Sequence, residues 1–493
     1  MKEINFKMKT VIYLTVLLHL FLIPLPLVNL EWAFSDASLY FSSNKMVYLQ
    51  QYFEIQANTL CIPFLSFLFN KIIPIIPYSY LPRLFSSLSL ILLGAALIKF
   101  NRLNKIEPNN SVFLLLLIFL NPLIWTFSGR GTADFIPFAL GFYCIMMYFD
   151  NKDIKFYKLL SLFIFGIAIT IKYHTILLAP VFFIVNLFMK DLSLKKRLFQ
   201  CIEQILIIII IPLIYIITIK LKFGFWLTPP IYLQRHGLNT NFFFSNFIVY
   251  FGFLGLFIAP FIFSNIFFYI KNSSLKSIVI IFILSSTFIL LFGEYFYIPI
   301  GEMNFGFLDK YINQKVVGST FGFFAFFLLF TVYKYFKHYI YYLKANDINK
   351  ILISFFITSI IFIIILSFTR PTQRYLIFII PFFYYIIDFK LYVKKYILYI
   401  TLILYSIFNL FIFSNQYNTG IATKNMVDEI IKKKILNITE AGSIKAHAGN
   451  IFYPYNTNKK IYIIVEGYSK NYIFISKSNF LPFTSKTYSL IKL

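Results

Sequence analysis

Acids are scarce in this chain, and several of its polar groups stand at the ends of long apolar runs. Asp36, in Glu31-Trp32-Ala33-Phe34-Ser35-Asp36-Ala37, follows directly on the first apolar segment. A carboxylate so placed has the chemistry of a general base. Arg130 and Asp134 share Ser128-Gly129-Arg130-Gly131-Thr132-Ala133-Asp134, where glycines let backbone approach closely. Lys172 and His174 separate two further apolar runs, and Arg370, Arg374 and Tyr375 stand in Thr369-Arg370-Pro371-Thr372-Gln373-Arg374-Tyr375. Ionisable groups at membrane depth are costly, so such a cluster is a site hypothesis by default. A carboxylate can deprotonate an acceptor, and cations can hold a phosphate and stabilise it as it leaves. Asp36 would supply the first; Lys172, Arg370 and Arg374 would supply the second. Together they suit attack by a deprotonated acceptor with a phosphate as leaving group.

Each residue also has a plainer reading. Arg130 and Asp134 are four apart and can form an ion pair at a helix start. Lys172 can snorkel to the membrane surface. Arg370 and Arg374 can anchor topology, Arg83 can be structural, and His174 can be an interface residue. Glu294, Glu302 and Asp309 read as solvated loop acids, and His447 has no partner spacing.

The elements that must position these groups are membrane spans. The chain has 493 residues, 59% hydrophobic and 13% charged, with a mean hydropathy of +0.76. A soluble domain does not carry so many apolar runs of spanning length. The net charge of +26 does not point to nucleic acid, because the lysines sit in short loops between apolar runs. Helices are expected at about 9–29, 82–100, 111–127, 133–149, 157–171, 174–189, 202–220, 246–270, 277–293, 317–336, 350–368, 375–389 and 396–413, about 13 in all, with the first retained rather than cleaved. The lysine and arginine bias favours a cytoplasmic N-terminus, and an odd helix count puts the tail outside. The polar cluster then falls on the non-cytoplasmic side. The long first outside loop, about 30–81, carries an expected interfacial helix at 47–55. Later loops at 221–245, with Trp226, Arg235 and His236, and at 294–316 can cover a site. From 414 the chain changes character: a short helix is expected at 428–434, then alternating strands, making a small α+β appendage. Cys61, Cys144 and Cys201 show no metal or disulfide spacing.

The pattern resembles the GT-C superfamily of integral membrane glycosyltransferases. Within it, the chain looks most like the branch of dolichyl-phosphate-mannose–protein mannosyltransferases and the aminoarabinose transferase of lipid A. Four pieces carry the resemblance: Ser35-Asp36-Ala37 after the first helix; Leu81-Pro82-Arg83-Leu84; Arg130-Gly131-Thr132-Ala133-Asp134; and Gly166-Ile167-Ala168-Ile169-Thr170-Ile171-Lys172, with Arg374-Tyr375-Leu376 later. It implies an all-α polytopic membrane domain over 1–413 and an extracytoplasmic domain over 414–493. It implies Asp36 as catalytic residue, and Arg130, Asp134, Lys172, Arg370, Arg374 and Tyr375 around the substrate phosphate. The implied partners are a polyprenyl-phosphate sugar donor, a glycan, lipid or protein acceptor, and the bilayer, in a bacterial plasma membrane. Where the family often has Asp-Glu, this chain has Asp36-Ala37, so no cofactor or metal site is assigned. The rival reading is a transporter or flippase of lipid-linked saccharides, which would show internal repeats and a polar lumen at mid-membrane.

Overall fold

The computed structural model describes residues 2–25, 31–46, 48–49, 52–53, 59–104, 106, 108–150, 154–187, 193–230, 243–257, 279–280, 283, 287, 323–325, 328, 349–369, 372–388, 395–435, 438–439, 462–481 and 484–492. Helical segments overlap the expected positions where residues are described; 246–270 is described only to Phe257, and 277–293 and 317–336 lie almost wholly outside the described residues. Leu81–Leu103, Leu194–Phe223 and Tyr396–Lys432 are each long and apolar enough to cross a bilayer, and the bent pair Asn110–Leu120 and Pro122–Gly129 makes another; the other apolar helices are shorter.

The first helix, α1, runs Lys2–Leu22 rather than to about residue 29. Pro24 and Pro26 follow, and the residue before a proline is driven out of the helical region. Then comes α2, Glu31–Ser43, so Asp36 lies inside a second helix and not in an irregular loop. The expected interfacial helix at 47–55 lies mostly outside the described residues; the segment 30–81 does hold α3, Cys61–Ile72, with Phe64, Leu65, Leu68 and Ile72 exposed along it.

Four helices follow closely: α4 Leu81–Leu103, α5 Pro108–Leu120, α6 Pro122–Gly129 and α7 Phe135–Asp150. The single helix expected at 111–127 is two, bent by 61°. Pro122 has no N–H to continue the ladder, and the Asn121 side chain accepts from Leu123 N at 3.0 Å and Ile124 N at 3.4 Å, starting α6 as an N-cap. The same Asn121 donates from Nδ2 to Tyr384 Oη at 2.8 Å. Tyr384 Oη meets Tyr405 Oη at 2.6 Å, and both hydroxyls reach the Phe257 carbonyl. One buried amide thus ties the break to three later elements.

The next elements are α8 Lys155–Ile171, a 3-10 turn Tyr173–Leu178, α9 Pro180–Leu187, α10 Leu194–Phe223 and α11 Phe243–Phe257. They are followed by α12 Asn349–Leu366, a 3-10 turn Gln373–Phe378 and α13 Ile380–Asp388. The expected helices at 174–189 and 375–389 therefore each begin as a 3-10 turn. Pro212 lies inside α10 and leaves the Ile208 carbonyl without its helical donor. Gly166 of α8 fills that gap: a Cβ there would stand 2.7 Å from Ile208 O. The core is aromatic, with Phe100 of α4, Phe142 of α7, Phe355 of α12 and Phe382 of α13 in mutual ring contact, the last two stacked at 3.9 Å.

The last helix, α14, spans 38 residues, Lys395–Lys432. It runs through position 413 without a break, so the short helix expected at 428–434 is the end of this rod. A four-stranded sheet in the order β1-β2-β4-β3 covers its far end, formed by Ile438–Thr439, Tyr462–Glu466, Tyr472–Leu481 and Thr484–Lys492. Ile464, Tyr488 and Leu490 pack on Ala422, Met426, Val427 and Ile430 of α14, and Ser476 Oγ donates to Ala422 O at 2.6 Å.

Candidate active site

Two short antiparallel helices make the floor of the site. The 16 residues of α7 and 17 of α8 extend about 24–26 Å at 1.5 Å per residue. A bilayer core is about 30 Å thick, so both helices are shorter than the core is thick. Asp134 stands just before the N-terminus of α7, where a carboxylate is favoured, and Lys172 just after the C-terminus of α8, where a cation is favoured. Because α7 and α8 pack side by side, these two helix ends face each other. Lys172 Nζ lies 2.8 Å from Asp134 Oδ1, with both side chains buried. Arg374 Nε approaches Asp134 Oδ2 at 4.0 Å from the second 3-10 turn.

The two 3-10 turns are built alike. Lys172, extended at φ −150°, precedes one, and Thr372, extended at φ −134°, precedes the other. The turns meet where His174 stacks on Tyr375, ring centroids 4.3 Å apart. Lys172 and Arg374 both lie over the Tyr375 ring, at 5.6 and 5.7 Å, so a single aromatic face braces both cations. Arg130 leaves α6 in an extended conformation with its guanidinium 5.5 Å from the Phe127 ring centroid, and it is 9% exposed. The ion pairs of Asp134 described above run to Lys172 and Arg374, which come from distant segments, rather than within its own short stretch.

The backbone at Lys172 is fixed from outside the helix pair. Thr59 Oγ1 donates to Ile171 O at 3.1 Å, Tyr52 Oη donates to Thr59 O at 2.6 Å, and Leu60 N donates to Tyr215 Oη of α10 at 2.8 Å. These anchors close the orphan end of α8. Sequence reading did not find them, because a threonine bonding a carbonyl 112 positions away leaves no local pattern.

Ala37 and Tyr40 of α2, the helix carrying Asp36, share one buried apolar cluster with Ala133 and Ile171, the neighbours of Asp134 and Lys172. The structure thus brings together Asp134, Lys172, Arg374, Tyr375 and His174 and sets Arg130 in the adjoining connection; the Asp36 side chain lies outside the described residues. Arg370 lies outside the described residues, as do Arg235, His236, Glu294, Glu302 and Asp309. Among the described residues no group of three or more His, Cys, Asp or Glu is arranged to hold a metal ion.

No protein-family model matches the chain, and no curated protein matches it. Two solved structures are similar to it. One is ArnT from Cupriavidus metallidurans bound to undecaprenyl phosphate, at 12% identity and a TM-score of 0.47, covering 90% of this chain and 74% of that one. The other is ArnT from the same organism in the apo state, at 10% identity and a TM-score of 0.42, covering 89% of this chain and 87% of that one.

Proposed function

We propose that the protein is a membrane glycosyltransferase that moves a sugar from a polyprenyl-phosphate donor to a lipid, glycan or protein acceptor on the non-cytoplasmic face. The observation that carries this reading is the convergence of Lys172 and Arg374 on Asp134 and on one tyrosine ring, with Ala37 of the Asp36-bearing helix in the same apolar cluster as Ala133 and Ile171. Two cations braced by one tyrosine suit a phosphate, and a carboxylate one residue from Ala37 suits a base.

The reaction is a single displacement with inversion. The acceptor oxygen forms a bond to the anomeric carbon as that carbon's bond to the phosphate oxygen breaks. The acceptor proton passes to Asp36, and the electron pair of the broken bond leaves with the polyprenyl phosphate, whose growing charge Arg374, Lys172 and Arg130 stabilise. Asp134 keeps the two nearer cations in register between turnovers. Arg370 joins the phosphate ligands, and the N-terminus is cytoplasmic, in a bacterial plasma membrane.

The test is mass spectrometry of lipid-linked sugars and envelope glycans in cells carrying wild-type protein or Asp36→Asn at matched levels. Accumulation of one polyprenyl-phosphate sugar with loss of one glycan residue supports the reading and identifies donor and acceptor. Full transfer by purified Asp36→Asn would sink it.

A further inference from the structure

Arg83 is the third residue of α4 and 2% exposed. A cation at the N-terminal end of a helix meets the unfavourable end of that helix's dipole, and a buried guanidinium is expensive. Its hydrogen bonds show what offsets both costs. Nη2 donates to Leu22 O at 2.7 Å, and Nη1 donates to Ile23 O at 2.7 Å and Leu25 O at 3.0 Å. Nε donates to Gly129 O at 3.4 Å. These four acceptors are main-chain carbonyls at the C-terminal ends of two helices, α1 and α6, whose negative ends both point at the one guanidinium.

Both helices lead into the site. Beyond Leu25 the chain runs to α2 and Asp36; beyond Gly129 it runs to Arg130 and Asp134. We propose that Arg83 is a positioning residue, which fixes where the Asp36 helix departs from the membrane domain relative to the strip that carries Arg130 and Asp134. Its catalytic meaning rests on the glycosyltransferase reading; its geometry does not. A second tie separates this role from general cohesion. His19 Nε2 meets Ser128 Oγ at 2.9 Å, and the His19 and Trp125 rings lie 4.3 Å apart, so α1 and α6 stay joined below the exit without Arg83. Only the planar fork reaches carbonyls on both exits; a lysine keeps the charge but converges its donors on one point.

The experiment places nitroxide pairs on full-length purified protein. One pair, on exposed Ser42 of α2 and exposed Ile176 beside Lys172, reads the exit. The other, on Ile176 and exposed Leu206 in the first half of α10, is the control. Arg83→Lys is expected to shift and broaden the first distance distribution and leave the second unchanged. In the same variant, binding of undecaprenyl phosphate stays within about twofold while turnover in cells falls by about 100-fold, the scale of a misplaced reacting group. An unchanged first distribution overturns the proposal, and so does equal broadening of both, which marks a general scaffold. If Arg83→Lys does not fold, Arg83→Gln is measured. Failure of both to fold also overturns it, because the His19 tie then does not hold the helices alone. If the distances move as expected but wild-type protein transfers no sugar, the positioning geometry stands and the transferase reading falls.

Discussion

Removing both partners of the Asp134–Lys172 pair should destabilise the membrane domain no more than removing Asp134 alone. At an effective dielectric near 20, unit charges 2.8 Å apart attract by about 6 kcal/mol, and at 4.0 Å by about 4 kcal/mol, the separations of Lys172 and Arg374 from Asp134. Desolvation takes back much of this, so the pair adds little net stability, yet a buried charge left alone costs about 3–5 kcal/mol. Asp134→Asn takes from Lys172 its carboxylate at 2.8 Å and should cost about 4 kcal/mol. Lys172→Met leaves Asp134 with Arg374 and should cost nearer 3 kcal/mol. The double variant removes the buried pair altogether and should cost about 4 rather than 7 kcal/mol, a coupling of about 3 kcal/mol. Reversible unfolding in mixed micelles, followed by tryptophan fluorescence, measures all three variants. Additive losses would refute the reasoning, since they would mean that the two groups do not share one desolvated site. The folded double variant should still fail to bind undecaprenyl phosphate, because a cation of the proposed phosphate site is gone.

Other expectations are more local. Gly166→Ala should force α8 from α10 where Ile208 O lies against the glycine, costing about 1–3 kcal/mol, and Gly166→Val should cost more; thermal unfolding ranks them. Asn121→Ala removes an N-cap and one hydrogen bond of the Tyr384 hydroxyl, so about 2 kcal/mol should be lost by the same measurement. Tyr375→Leu removes the brace shared by Lys172 and Arg374 and the stack with His174, and should weaken undecaprenyl phosphate binding by about tenfold, read by tritium-lipid retention. Met426→Asp should unfold the sheet, seen as rapid proteolysis of 433–493, while leaving α1 to α13 assembled, because that side chain is buried in the cluster of Ile464, Tyr488 and Leu490.

Much of this was legible in the sequence, for identifiable reasons. Apolar runs of spanning length mark helices because the bilayer leaves the backbone no alternative, and α4, α7, α8 and α12 lie close to where hydropathy puts them. The scarcity of acids made Asp36 and Asp134 conspicuous. The break at Asn121-Pro122 also had a written signal, an amide cap before proline, but a continuous apolar run concealed it. The partnership of Asp134 with Lys172 was out of reach: it depends on which helix ends meet, and that is decided by packing across the bundle. The anchors at Thr59 and Tyr215, and the convergence of two helix ends on Arg83, are side-chain bonds to distant backbone. Such bonds impose no periodicity.

The continuity of α14 sets an order of assembly. Its 38 residues span about 57 Å, roughly twice the thickness of a bilayer core, so about half of the rod is more than such a core can hold. Ala422, Met426, Val427 and Ile430 lack their strand partners until the strands, all C-terminal to them, have been synthesised. The sheet is therefore a late cap, and a chain arrested anywhere between residues 433 and 480 would display a greasy helix to the surroundings. Quality-control proteases that recognise such helices would distinguish finished from unfinished copies by this one feature, without inspecting the membrane bundle at all.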